Sequence, residues 1–116
     1  MISEIPLNRQ VLNRVSDDAI IAGPWIDGKP SLYGSEDFCY LCFTVLCTQA
    51  SSGWKTIATL PSGYRPQLRT TFVAMDDTSF AAKEAVVGTD GAFQIWGTTA
   101  GHQYWGSVTF VRNPNS

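Results

Sequence analysis

The run Phe38-Cys-Tyr-Leu-Cys-Phe-Thr-Val-Leu-Cys47 constrains this chain more than any other segment. It is apolar at both odd and even positions. Successive side chains of a strand point to opposite faces, so this pattern predicts a strand covered on both sides. Ten residues is also about half of what a membrane-spanning helix needs, so membrane insertion is not expected. The rest of the chain agrees with a sheet. Eight Val, seven Ile and eleven Thr are β-branched, and a further 14 residues are aromatic. These side chains suit a pleated, half-buried surface. Charged residues make up 16% of the chain, below the ~25% of ordinary soluble domains. The formal net charge of −2 supplies no basic patch, which argues against nucleic acid as a partner. At 116 residues there is room for one core.

Glycine, proline and Asp-Gly pairs divide the chain from Ala19 onward into about eight short strands. These are expected at Ala19 to Ala22, Ser31 to Tyr33, Phe38 to Cys47, Trp54 to Leu60, Thr70 to Met75, Phe80 to Val87, Ala92 to Trp96 and Tyr104 to Arg112. Asp27-Gly28 reads as a tight turn between two strands, and Asp90-Gly91 as a type I′ hairpin. The expected fold is all-β: a single antiparallel β-sandwich or jelly roll over residues 19–116. Residues 1–18 read as an N-terminal arm that links or oligomerises. Leu7, Val11, Leu12 and Val15 recur at helical spacing there, and a short helix or an extended leader both fit.

Few residues are equipped for chemistry. The N-terminus lacks the basic start and apolar stretch of a signal peptide, so synthesis in the cytoplasm with reduced thiols is expected. Cys39 and Cys42 are three apart in a strand and so face opposite ways, which disfavours a metal or redox pair; no metal or other cofactor is expected. His102 is the single histidine, in a turn-like Gly101-His102-Gln103, and no Gly-x-Ser-x-Gly elbow occurs. Asp76-Asp77 reads as a solvated turn. A glycosidase would need facing carboxyls, for which Asp76, Asp77 and Asp90 are the candidates. Trp25 and Trp54 are expected to close the core. Trp96, His102, Tyr104 and Trp105 cluster in sequence around the small, flexible-looking Thr98-Thr99-Ala100-Gly101. Aromatic faces beside polar groups suit the apolar faces and hydroxyls of sugars, so these four are the candidate saccharide contacts. Cores and interfaces use the same residue types.

Two blocks, taken together, carry a resemblance. Gly23-Pro-Trp-Ile-Asp-Gly-Lys-Pro30 is similar to a strand-turn-strand of bacteriophage and prophage tail proteins. Trp54-Lys-Thr-Ile57 and Leu60-Pro-Ser-Gly-Tyr-Arg-Pro66 resemble the block that follows it, and Asp90-Gly91 with Val108 to Val111 resembles its closing hairpin and strand. The likeness spans roughly residues 16 to 112, and departs from the usual pattern at Ser31-Leu-Tyr-Gly34. It implies a small β-sandwich or jelly-roll head domain of the kind carried by tail fibres, baseplates and receptor-binding proteins; such heads are commonly trimeric, and some bind host cell-wall saccharides. With the all-β composition and the absence of a catalytic set in the sequence, the expectation is a non-enzymatic homotrimer in the virion tail, among other tail proteins, that attaches to a host cell-surface saccharide. A purely structural virion component is the alternative, and a small carbohydrate-active enzyme a third. Within the block, Tyr64 is expected to cover the end of the core and Arg65 to pair with a carboxylate or a carbonyl.

Overall fold

A computed structural model describes residues 11–116. Its strands begin with β1 (Asn13–Arg14), β2 (Ile21–Ala22), β3 (Ile26–Asp27) and β4 (Ser31–Gly34). The long β5 (Phe38–Cys47) is followed by β6 (Trp54–Thr59), β7 (Arg65–Pro66) and β8 (Thr70–Asp76). The chain ends on β9 (Ala81–Val87), β10 (Ala92–Trp96) and β11 (Gln103–Asn113). The one helical turn among the described residues is a 3-10 turn at Asp17–Ala19. All eight strands read from the sequence are present; the extra ones, β1, β3 and β7, are two residues each.

Every pairing is antiparallel, and the strands follow one path, β1-β4-β5-β11-β8-β9-β10-β6-β2, with β3 on β5 and β7 on β11. The path folds over on itself. Phe43 on β5 meets Phe93 on β10 at 4.6 Å between ring centroids, although three strands lie between them on the path. Phe72 packs on both rings, at 6.1 and 5.8 Å. The bend falls between β11 and β8, which pair only at Tyr104 with Asp76 and at Trp105 with Met75. The result is a sandwich-like domain with two halves: β4, β5 and β11 on one side, and β8, β9, β10 and β6 on the other.

Inner residues of both halves form the core, including Leu41, Val45, Ile57, Ile95, Tyr104 and Phe110. Here β5 departs from expectation. Cys39, Leu41, Phe43, Val45 and Cys47 are buried, but Phe38, Tyr40, Cys42 and Leu46 are only half-buried and Thr44 is exposed. Among the described residues one face of the strand is covered, not two, because no second layer of them lies outside it.

Two turns also differ. Asp27-Gly28 does not make a hairpin. β3 and β4 both pair with β5 in a single unbroken register, Ile26 opposite Cys47 through Gly34 opposite Cys39. They are one strand interrupted at 28–30, where Gly28 takes φ +88. The hairpin lies after β4, where Ser35 and Phe38 close the turn by backbone and side-chain hydrogen bonds. Between β9 and β10 the loop has three residues, Thr89-Asp90-Gly91, closed from Gly88 to Ala92. Only Gly91 is left-handed, so this is a three-residue turn and not type I′. A Cβ on Gly91 would lie 2.6 Å from Arg65 Nε and 2.8 Å from the Leu60 carbonyl.

The Leu60-to-Pro66 block is architectural. Arg65 Nε donates to the Leu60 carbonyl at 3.0 Å, the carbonyl option of the two foreseen. Tyr64 packs on the core edge beneath the Arg112 guanidinium, 4.2 Å from its ring centroid. In the arm, residues 13–14 run extended as β1 beside β4, and Val15 packs against the core of its own chain. Leu7 lies outside the described residues.

Candidate functional site

The four aromatic or imidazole candidates do not converge. Tyr104 shares inward parity with Val108 and Phe110, and it is 0% exposed. Its hydroxyl accepts the Thr99 N–H at 2.8 Å. Burial raises its pKa, and the nearby Asp76 charge adds to this against the Thr99 bond. Tyr104 therefore supports the 97–102 loop from within and does not face a ligand.

His102 is tied down as well. Its Nδ1 lies 2.7 Å from Oδ2 of Asp76, a side chain only 1% exposed. Asp76 is thus no solvated turn residue; it continues the inward parity of Phe72 and Ala74. Its other oxygen accepts the backbone N–H groups of Thr78 and Ser79, both at 3.0 Å. Burial favours the neutral acid, but the hydrogen bonds from His102, Ser79 and Thr78 outweigh it and lower the pKa from 3.8 to about 2. The pair locks the β8–β9 turn to the start of β11. The following loop is stitched down too: Gly101 N–H donates to the Cys47 carbonyl, and the Thr98 hydroxyl donates to the Gln49 carbonyl. At the far end of the β8–β9 turn, Phe80 holds a left-handed φ of 57 and is 81% exposed.

Trp96 and Trp105 both point outward, at 45% and 48% exposed, but from different halves. Trp105 lies on β11 beside Thr44 and Met75. Trp96 lies on β10, three strand spacings or about 14 Å along the sheet.

Around Trp96 a second group assembles that the sequence did not single out. Trp54 stands opposite it on β6, edge to face, with ring centroids 5.3 Å apart. Trp54 thus lies on the outer surface and does not close the core. The Arg69 guanidinium reaches over the Trp54 ring at 5.7 Å. Trp54, Arg69, Thr71, Val73 and Glu84 line an open depression of about 540 Å³. Arg69 separates it from a second of about 350 Å³, lined by Gln94, Thr89 and Asp90 among others. The ion pairs among the described residues are Arg14–Asp17 and His102–Asp76, so Arg69 and Glu84 present their charges to the trough. The result is a shallow aromatic bed flanked by a guanidinium, a carboxylate, a hydroxyl and an amide.

This arrangement offers hydrogen bonds and stacking. Burial pushes the Cys39 and Cys47 thiols up to about 11, only partly opposed by Arg112 and Lys55 respectively. That keeps them in the unreactive thiol form at neutral pH. Among the described residues no three His, Cys, Asp or Glu side chains are grouped to hold a metal ion. No protein-family model matches the chain, and no curated protein matches it.

Proposed function

We propose that this chain is a non-enzymatic β head of a bacteriophage or prophage tail-associated protein, a homotrimer in the virion tail that attaches to a host cell-surface saccharide. The carrying observation is the trough: Trp54, backed edge to face by Trp96, stands with Arg69, Glu84 and Thr71, and Gln94 lines the adjoining depression beyond Arg69. The C–H face of a pyranose ring stacks on an indole, while its hydroxyls need donors and acceptors around the ring edge. Both kinds of group stand together here. The resemblance of the 23–30 and 54–66 blocks to tail proteins supports the setting. The engagement of two of the acidic candidates in turns fits a binding role: Asp76 is held by His102 and its own turn, and Asp90 caps the 89–91 loop by accepting the Ala92 N–H.

A shallow, open trough implies weak single-site affinity, around millimolar, which three copies on one particle would raise by avidity. A glycan array followed by titration calorimetry tests this. The wild type should bind at least one surface glycan, and Trp54→Ala and Arg69→Ala should each lose that binding while keeping the wild-type melting temperature. No binding across the array by the wild type, or full binding by Trp54→Ala, overturns the proposal. The first of those results favours the alternative of a structural virion component, a reading that the uncharged outer face of β4, β5 and β11 also accommodates.

A further inference from the structure

We infer that the outer face of β4, β5 and β11 is the surface on which a second copy of this chain packs, an inference that deepens the oligomeric part of the reading above. The sole charged residue in these three strands is Arg112, and its guanidinium turns inward, onto the Tyr64 ring and the carbonyls of Gly63 and Ser35. Outward from the strands stand Tyr33, Tyr40, Cys42, Leu46, Trp105 and Val111, with hydroxyl residues between them. Tyr33 and Tyr40 lie opposite each other with rings 6.2 Å apart.

Three features select a second copy as the occupant. The first is β5 itself, whose composition is that of a strand covered twice and which the described residues cover once. The second is charge. Copies related by a rotation axis, two-fold or three-fold, bring like groups together where the face lies on that axis, and any fixed charge there would repel its counterparts. This face has none. The charges stand along one border, in the row of β3 and β4: Asp27 lies opposite the outward Leu46, Lys29 shares a hollow with Cys42 and Thr44 while its amine donates to the Asp17 carbonyl, and Arg14 reaches Ser31 from the edge strand β1. An uncharged, aromatic centre with a charged rim is the usual anatomy of an interface. The third is size. β5 and β11 run about 33 Å side by side and β4 covers about a third of that length, a patch of roughly 400 Å². That is about half the ~800 Å² that each partner contributes to a standard interface, so association should be reversible and concentration-dependent.

Sedimentation equilibrium from micromolar to millimolar protein tests the assignment. Thr44→Arg and Ser107→Arg each place a charge at exposed positions in the centre of the face, and Thr71→Arg does the same on the opposite half as a control. Wild type and Thr71→Arg should associate, and the two central variants should associate about a hundredfold more weakly, the effect of an unpaired charge trapped between copies. Alkylation of Cys42, the one half-open thiol, should slow as wild-type protein is concentrated and should not slow in Thr44→Arg. Unchanged association in both central variants overturns the choice of face and leaves the oligomeric reading intact. A wild type that stays monomeric to millimolar concentration overturns both. Protection of Cys42 in such a monomer would give the face to residues 1–10.

Discussion

The two outer faces of this domain are built alike and finished differently. Each is the outside of an antiparallel half-sandwich whose inner residues share one core. On the β8–β9–β10–β6 side, apolar inner residues alternate with outward Thr71, Val73, Glu84 and Gln94, and the charges of Arg69 and Glu84 flank a Trp pair. On the β4–β5–β11 side both parities of β5 are apolar, and the outward charges are confined to Asp27 and Lys29 in the bordering β3/β4 row. A surface that meets a small polar ligand needs donors and acceptors that water can satisfy in the free state. A surface that meets protein gains by carrying fewer of them. The contrast separates two kinds of recognition on one scaffold.

The comparison assumes that the halves form one cooperative unit, and the most disruptive test attacks that. Phe93→Ala removes the ring that joins β10 to Phe43 and Phe72 across the core, and should cost about 3–5 kcal/mol in urea denaturation. Amide exchange should accelerate in β5 and β10 together; exchange confined to one half would break the premise. Asp76→Asn should cost about 2 kcal/mol at neutral pH, because it weakens the bond to His102 and the turn bonds at the joint between the halves. The same carboxylate sets an acid limb. Its folded pKa lies below its ordinary 3.8, so its stabilisation is complete above about pH 4 and is lost as pH falls through about 2. Acid titrations of stability should show a limb of similar size in the wild type and none in Asp76→Asn.

Phe80→Asn should raise stability by about 1 kcal/mol, since Asn accepts the left-handed conformation more readily and Phe80 buries little. Thermal melts check this, and ligand binding and association should be unaffected. The smallest change in stability, within about 0.5 kcal/mol, is expected for Thr71→Ala and Thr109→Ala, exposed positions on opposite faces. They sharpen the contrast: Thr71→Ala should weaken glycan binding alone, and Thr109→Ala self-association alone.

Much of this architecture was legible. β-branched runs stopped by Gly and Pro located the main strands, because the sheet's period of two is a local property. Strand partners were not legible in the same way. Asp27-Gly28 has the local chemistry of a hairpin, yet both flanking segments lie along β5 in one register, a choice made by a strand more than ten residues away. Asp76 and Tyr104 carried a signal that was there to be used. Each continues the parity of buried apolar neighbours, Phe72 and Ala74 for one, Val108 and Phe110 for the other. Trp54, Arg69 and Glu84 come from three separate segments, and only the finished sheet brings them to one trough.

The pairing of β11 with β5 sets the order in which this molecule can come into being. Cys42 and Ser107 lie opposite each other with more than half of the chain between them, and β11 also holds β7 and β8. Until β11 has left the ribosome, β5 lacks its central neighbour and its apolar inner residues lack a closed core. Folding is therefore expected to follow synthesis of the last strand and to take milliseconds to seconds, the range of domains dominated by distant contacts. Throughout that interval the strand richest in apolar residues is the one without its partner, and the nascent chain has most need of a chaperone then.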